Sequence, residues 1–249
     1  MPGSALSVSE PNIVINTAVA EVLGEFADRL EGLSGKALEA EIHLLLKEVL
    51  RDHRHIVFNG NGYTSEWVEE AHKRGLFDLP SCAEAFPRLI AEKNVELFLK
   101  HGIYTKEELF SRYEIKEENY IKTINIEAKT MIDMAGKQII PAVVKYTTQL
   151  ASSLTAVRTA CEEADVSVQK ELLLETSDKL SEMKVALAAL KDILAKASAI
   201  KDNKEKAFAY LHEVCPAMVA LRKPADELEM LVDKELWPFP SYGDLVFEV

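Results

Sequence analysis

Residues 178–199 read DKLSEMKVALAALKDILAKASA, and the spacing of their apolar positions decides the fold. Leu180, Met183, Leu187, Leu190, Leu194 and Ala197 follow one another in steps of three and four, the 3.5-residue average that draws an apolar seam along one side of a helix. A seam of that kind buries itself only against other helices, and the flanks supply them. Helical periodicity persists from about Lys116 to Ala164 with Gly136 as the only glycine, and a helix of that span is roughly 70 Å long. On the other side, about Lys204 to Lys234 carries Phe208, Leu211, Cys215, Met218, Leu228 and Leu231 at helical spacing. The turns at Asp165–Ser167 and Lys201–Asn203 are short enough to fold neighbours side by side. Residues 116–236 are therefore predicted to form a long antiparallel three-helix, coiled-coil-like bundle. Pro141 lacks an N–H and crowds the turn before it, which predicts a kink near Lys137–Pro141, and Pro216 and Pro224 are expected to bend the third helix.

Ahead of the bundle the elements shorten. Ser9-Glu10-Pro11-Asn12 offers a helix start before Ile13, Ala20, Leu23, Ala27 and Leu30, and Gly32 to Gly35 ends it. A second amphipathic helix is expected from about Lys36 to Ile56, with Leu38, Ile42, Leu45 and Val49 on one face. Asn59-Gly60-Asn61-Gly62 breaks the chain, and Thr64 or Ser65 can cap a short helix over Glu66–Arg74. One helix is expected over Ala83–Lys100, and Thr105 with Glu108 has the spacing of a capping box for the next. Apolar residues recur three and four apart almost throughout, so the fold class is all-α: a short-helix globular region, the bundle, and an extended Pro/aromatic tail over 237–249. Trp237, Phe239, Tyr242 and Phe247 in that tail need cover, which predicts docking on the globular half or on a neighbouring subunit.

Composition narrows the function. With Lys plus Arg at 29 and Asp plus Glu at 41, the net charge is -12; that repels phosphate backbones, so no nucleic acid is expected as partner. Cys82, Cys161 and Cys215 are odd in number and far apart, and read as reduced thiols packed as small apolar side chains in a reducing cytoplasm. The start Met1-Pro2-Gly3-Ser4-Ala5 has no basic stretch leading into an apolar one, and nowhere do about 18 apolar residues run together. Neither secretion nor a membrane is expected.

The chemistry-bearing clusters read as structure. His53 and His55 in Asp52-His53-Arg54-His55 project about 200° apart if helical and could not share an ion; His43, His72, His101 and His212 add no zinc spacing. The cluster reads instead as charge at a helix end. Asn59–Gly62 lacks the Gly-Lys-Ser/Thr ending and preceding strand of a phosphate loop and reads as a turn. No serine stands in a Gly-x-Ser-x-Gly elbow and no cysteine has an activating histidine nearby in sequence. Adjacent carboxylates at Glu69-Glu70, Glu107-Glu108, Glu117-Glu118 and Glu162-Glu163 diverge on a helix and read as solvated surface charge. Met131, Met134, Met183, Met218 and Met230 read mostly as seam residues filling core gaps.

Four stretches together resemble the C-terminal part of a type III glutamine synthetase: Ser9–Thr17 followed by Val19-Ala20-Glu21; NGNGYTSEWVEEAHKRG over 59–75; Lys122-Thr123-Ile124-Asn125-Ile126-Glu127-Ala128; and WPFPSYGDL over 237–245. The resemblance covers essentially the whole chain. It implies an enzyme that joins ammonia to glutamate through a γ-glutamyl phosphate, using ATP and Mg2+ or Mn2+, with its catalytic groups on strands that would lie upstream of Met1. Met1-Pro2-Gly3-Ser4 resembles the segment that comes after the last of those strands. No catalytic, cofactor-binding or metal-binding residue is carried over to this chain, and glutamine-forming turnover is not expected from it alone.

The same resemblance implies the division of labour. Residues 1–56 would be terminal helices closing the catalytic domain, 57–115 a connecting region, 116–236 the bundle and 237–249 a docking tail. The partners it implies are the rest of the glutamine synthetase chain and neighbouring subunits of a ring-shaped homo-oligomer. The alternative from another class is a stand-alone helical scaffold that binds a partner through the bundle or the tail.

Overall fold

The computed structural model describes residues 7–240 and 242–247, with backbone alone for Tyr242 and Gly243. No strand occurs among them. The chain divides into two compact units, one up to Glu114 and one from Ile115.

The first unit contains α1 (Ser9–Leu30), α2 (Gly35–Asp52), a 3-10 turn (Arg54–Ile56), α3 (Ser65–Lys73), α4 (Cys82–Leu89) and α5 (Glu92–Lys100). Its core is Val95, Phe98 and Leu109, with Ile13, Leu89, Ile90, Tyr104 and Phe110 packed around it. Gly75 closes α3 and Gly102 closes α5 with φ of +73° and +60°. In each case the next residue reaches back five positions, Leu76 N–H to the Ala71 carbonyl at 2.9 Å and Ile103 N–H to that of Phe98 at 3.0 Å. That bond requires a left-handed residue, where a Cβ is penalised.

The single helix expected over Ala83–Lys100 is two. Pro87 removes a ladder donor inside α4, the backbone turns extended at Ala91 (ψ 139°), and the Asn94 amide donates to the Arg88 carbonyl at 2.6 Å, taking up one acceptor freed at the break. Ser81 caps α4, accepting from the Glu84 N–H at 3.2 Å and donating to its carboxylate at 2.8 Å. Thr64 does hold the N-cap position of α3 but makes no side-chain cap bond; its hydroxyl donates to the Asn61 carbonyl at 3.2 Å.

Helix α6 (Lys106–Met134) starts ten residues before the expected Lys116. The capping box sets that start: the Glu108 carboxylate accepts from the Thr105 N–H at 2.8 Å, and the Glu108 N–H donates to the Thr105 hydroxyl at 3.2 Å. The second unit then holds the rest of α6, a π-turn (Ala135–Ile139), α7 (Ile140–Ala160), α8 (Ser167–Ala199), α9 (Asn203–Ala209), a second π-turn (Tyr210–Val214), α10 (Cys215–Leu231) and α11 (Tyr242–Phe247). The Asp165 carboxylate accepts the Ser167 N–H at 2.9 Å in the turn into α8, and Asp202 caps α9 through the Glu205 N–H at 2.9 Å.

Helix α8 is the spine, packed on α7 and α10. Met183, Leu187, Leu190, Leu194 and Ala197 are all buried, as is Thr176; Leu180 is half-buried. Val143 of α7 and Leu221 and Leu228 of α10 meet them in the core. The expected disturbance at Pro141 is the first π-turn, and Pro216 follows the second. Pro224 stays inside regular α-helix, buried, without a π-turn of its own. The tail differs from the extended strip expected: Tyr242–Phe247 is helical, and Lys234 and Asp244 pair at 2.5 Å across the turn that leads into it. The aromatic side chain of Tyr242 lies outside the described residues.

Candidate functional site

Helix α1 has two apolar faces. Ile13, Thr17 and Glu21, spaced by four, face the body of the first unit, where Thr17 is 3% exposed and its hydroxyl donates to the Ile13 carbonyl at 2.7 Å. Glu21 ties α1 to the end of α5: Lys100 Nζ lies 2.7 Å from one carboxylate oxygen and His101 Nε2 2.6 Å from the other. The Lys100 hydrogen bond, then that of His101, holds the Glu21 carboxyl below its usual value. Ile15, Val19 and Val22 step by four and three, about 200° round from Thr17. They are 60%, 50% and 43% exposed, and Val14 and Leu23 beside them are exposed as well. Contiguous exposed apolar surface is where proteins commonly meet partners.

The loop over 59–62 is held by its own side chains. Asn61 accepts the Tyr63 N–H at 3.0 Å, and a Cβ on Gly60 would stand 2.3 Å from Phe58 Cζ, so any larger residue there must displace the Phe58 ring. Phe58 stacks on Trp67 with centroids 4.2 Å apart. Arg74 lies over both rings, pairs with Glu70 at 2.6 Å and donates to the Val57 carbonyl at 2.8 Å. The motif thus folds into a knuckle around the Phe58–Trp67 stack and leaves Tyr63 fully exposed.

At Asp52–His55 the helical argument for separating the two histidines does not hold. Helix α2 ends at Asp52, and the two rings come within 6.3 Å, tilted by 39°. Among the described residues, however, no group of three or more His, Cys, Asp or Glu side chains gathers as ligands for a metal ion. Arg51 and Asp52 pair at 2.8 Å, which accounts for the charge at this helix end.

The carboxylate pairs divide. Glu70 and Glu118 are engaged in ion pairs with Arg74 and Lys122, Glu108 in the capping box. Glu117 is the correction: it is 3% exposed rather than solvated, with a bonded partner. Helical register turns it toward the core because Tyr113 and Ile121, four residues either side, are buried too. Cys82 and Cys161 are exposed, not packed, while Cys215 is half-buried; all three are free thiols. Burial pushes the Cys215 thiol up, against a hydrogen bond to Tyr120 that lowers it. Met183 lies in the seam, whereas Met230 is 85% exposed because it falls opposite Leu228. Trp237 and Phe239 of the tail line a cavity with Met131, Met134 and Met183, so the tail's first aromatics sit on the bundle.

Sequence reasoning had no means of finding two contacts. Glu21 with His101 and Tyr210 with Asn125 join residues 80 and 85 positions apart; Glu21 and Asn125 stand in the stretches quoted for the resemblance, but nothing in the sequence pairs them with His101 and Tyr210. Tyr210 is 1% exposed; its hydroxyl donates to the Asn125 side-chain oxygen at 3.2 Å and lies 3.0 Å from the Ser198 hydroxyl, satisfying a buried polar network that joins α6, α8 and the second π-turn.

These clusters define a helical protein whose polar groups join helix to helix and whose α1 bears an exposed apolar stripe. Comparison with known proteins gives its family. The glutamine synthetase C-terminal domain, as a family, matches residues 41–158. The chain is 37% identical over 221 residues to a glutamine synthetase of Butyrivibrio fibrisolvens, covering 89% of this chain and 32% of that protein. It is 33% identical over 250 residues to the type-3 glutamine synthetase of Dictyostelium discoideum, covering 98% and 34%, and 32% identical over 251 residues to a glutamine synthetase of Bacteroides fragilis, again 98% and 34%. The chain belongs to the glutamine synthetase family and carries its C-terminal domain. It spans about a third of the length of the curated relatives it matches.

Proposed function

We propose that this chain is the C-terminal third of a type III glutamine synthetase, an enzyme that makes glutamine from glutamate, ammonia and ATP with Mg2+ or Mn2+, and that its own part is architecture and assembly. The observation that carries the reading is the bare stripe of α1. Each half-exposed aliphatic side chain there has about 1 kcal/mol still to gain from cover, so Val14, Ile15, Val19, Val22 and Leu23 together hold roughly 5 kcal/mol in reserve. The matched relatives are about three times as long as this chain, and the portion this chain does not cover is the partner that the stripe fits. No catalytic step is assigned to this chain's own residues in this reading.

In this reading 1–56 closes the catalytic portion, 57–115 connects, 116–236 is the bundle and 237–249 the tail, and the bundle and tail meet neighbouring subunits of a homo-oligomer. Val19→Asp/Val22→Asp in the full-length enzyme tests the stripe. Loss of glutamine formation and of the large assembly is expected, while the same change in the isolated chain keeps its helical circular dichroism and reduces self-association. Full activity and unchanged size of the doubly substituted enzyme would refute the reading. Removing residues 237–249 from the full-length enzyme is expected to shrink the assembly; an unchanged oligomer excludes the tail as a contact.

A further inference from the structure

Helix α1 is long but keeps little of its own surface from water. Of its 22 residues only Thr17 is buried, whereas a helix in a folded protein draws most of its stability from packing. The link to α2 does not brace it: Gly32 and Gly35 stand there at φ +77° and +55°, and a Cβ at either would meet nothing within 4 Å beyond its chain neighbours. Beside Ile13 and Thr17, two sets of ion pairs hold α1 on its unit.

Glu21 offers one carboxylate oxygen to Lys100 at 2.7 Å and the other to His101 at 2.6 Å, both at the end of α5. Eight residues on, Arg29 divides its guanidinium between two carboxylates of α2, Nε to Glu41 at 2.7 Å and Nη1 to Glu48 at 2.6 Å; the planar fork of arginine suits two acceptors at once. Leu45, between those glutamates, is buried. Eight residues set the two ties about 12 Å apart along α1 and about 80° apart around it. One tie would leave the helix free to turn about its contact, whereas two in different directions fix both its place and its rotation. Arg29 also continues the row of Ile15 and Val22 at steps of seven, so a rotation that breaks the Arg29 tie swings the apolar stripe with it.

We propose that Glu21 and Arg29 are positioning residues: through α1 they set the direction in which Ile15, Val19 and Val22 meet the portion of the enzyme that this chain does not cover. The inference rests on the reading of the chain as part of a glutamine synthetase, where an offset of about 1 Å far from the chemistry can cost roughly a hundredfold in rate. A charge swap separates position from folding. In this chain, Glu21→Lys sets like charges against one another, and amide hydrogen exchange across α1 is expected to quicken at least about threefold with that of α8 unchanged; Glu21→Lys/Lys100→Glu restores slow exchange. Added salt should quicken α1 exchange in the parent and much less in Glu21→Gln/Arg29→Gln, because part-exposed ion pairs are screened. In the full-length enzyme Glu21→Lys and Arg29→Gln are each expected to lower glutamine formation about tenfold, the double swap to recover most of it, and Arg29→Lys, which keeps the charge without the fork, to lose less than Arg29→Gln. Unchanged α1 exchange in Glu21→Lys, or a double swap no better than Glu21→Lys, overturns the proposal. So does full activity of Glu21→Lys in an enzyme that Val19→Asp/Val22→Asp inactivates; if both stay active, the assignment of the stripe falls as well. Glu21→Gln, with its loss of salt dependence, keeps the test decisive should Glu21→Lys fail to fold.

Discussion

Leu190 and Val185 lie five residues apart on the same helix, and the seam predicts opposite consequences for shortening them. Leu190 is 0% exposed between α7 and α10, whereas Val185 is 71% exposed. Leu190→Ala deletes three carbons, about 2.5 kcal/mol of transfer energy at about 0.8 kcal/mol per group. The cavity left in a packed seam adds to this, giving about 3–4 kcal/mol, within the range of buried Leu→Ala changes. Val185→Ala removes little buried surface and replaces a β-branched residue by the best helix former, so its expected effect is neutral to about 0.5 kcal/mol stabilising. Urea unfolding checks both. The two tryptophans lie in different units, Trp67 in the first and Trp237 in the second, so in a Trp67→Phe background the fluorescence of Trp237 follows the bundle alone. With a urea slope of about 2 kcal/mol per molar, Leu190→Ala should lower the midpoint by about 1.5–2 M at unchanged slope. A loss below about 1 kcal/mol for Leu190→Ala, or a comparable loss for Val185→Ala, would refute the reading of α8 as a spine with one buried side.

Other changes test the first unit. Thr105→Ala removes one half of the capping box of α6 and should cost about 1 kcal/mol by thermal or chemical unfolding. Gly60→Ala drives a Cβ against Phe58, so the Phe58–Trp67 stack should open, with a change in Trp67 emission and a lower melting temperature. Gly24→Ala, in the middle of α1 with nothing near its Cβ, should raise stability by up to about 1 kcal/mol. Glu21 is held below its usual value of 4.5 by Lys100 and His101, so the folded state binds fewer protons there than the unfolded chain. Its contribution is present above pH 4.5 and is lost as pH falls through the lower, folded value. Glu21→Gln should therefore flatten the acid limb of the first unit's stability profile and leave that of the second unit unchanged.

What the sequence made legible was whatever repeats or punctuates locally. The seam from Leu180 to Ala197 stands in a single stretch, and its buried positions follow from periodicity alone. Thr105 with Glu108 was legible as a cap, though its consequence, that α6 begins at Lys106 and not near Lys116, needed both ends of one helix to be judged together. The break at Ile90–Ala91 was hidden because no glycine marks it; the signal present was Pro87 with Asn94 ready to take the Arg88 carbonyl. Glu117 illustrates the opposite error. Its neighbour Glu118 suggests surface, but adjacent helical residues point about 100° apart, and only the register with Tyr113 and Ile121 tells which of the two turns inward. The Trp237 cavity was legible only as an aromatic tail in need of cover, since its methionine wall comes from residues more than 50 positions away.

The two π-turns explain how prolines are carried in long packed helices without breaking the bundle. Ala135–Ile139 precedes Pro141, and Tyr210–Val214 precedes Pro216, each turn beginning six residues ahead of its proline. A proline ring clashes with the carbonyl four residues back, here that of Lys137 or His212, which lies inside the π-turn in both cases. Widening the helix by one residue just there moves that carbonyl aside and rotates the helix beyond it. The buried residues run through each turn: Ala135 and Ile139 are followed by Ala142 and Val143, and Tyr210 and Val214 by Ala217 and Leu221. Pro141→Ala and Pro216→Ala should therefore not simply stabilise the helices as propensity suggests. Each removes the cause of a widened turn whose neighbours are already packed, so the helix must either keep the turn or rotate its buried residues out of the core. The expected outcome is retained helical circular dichroism with a melting temperature unchanged or lowered, and a clear rise for both variants would show that the prolines strain the bundle.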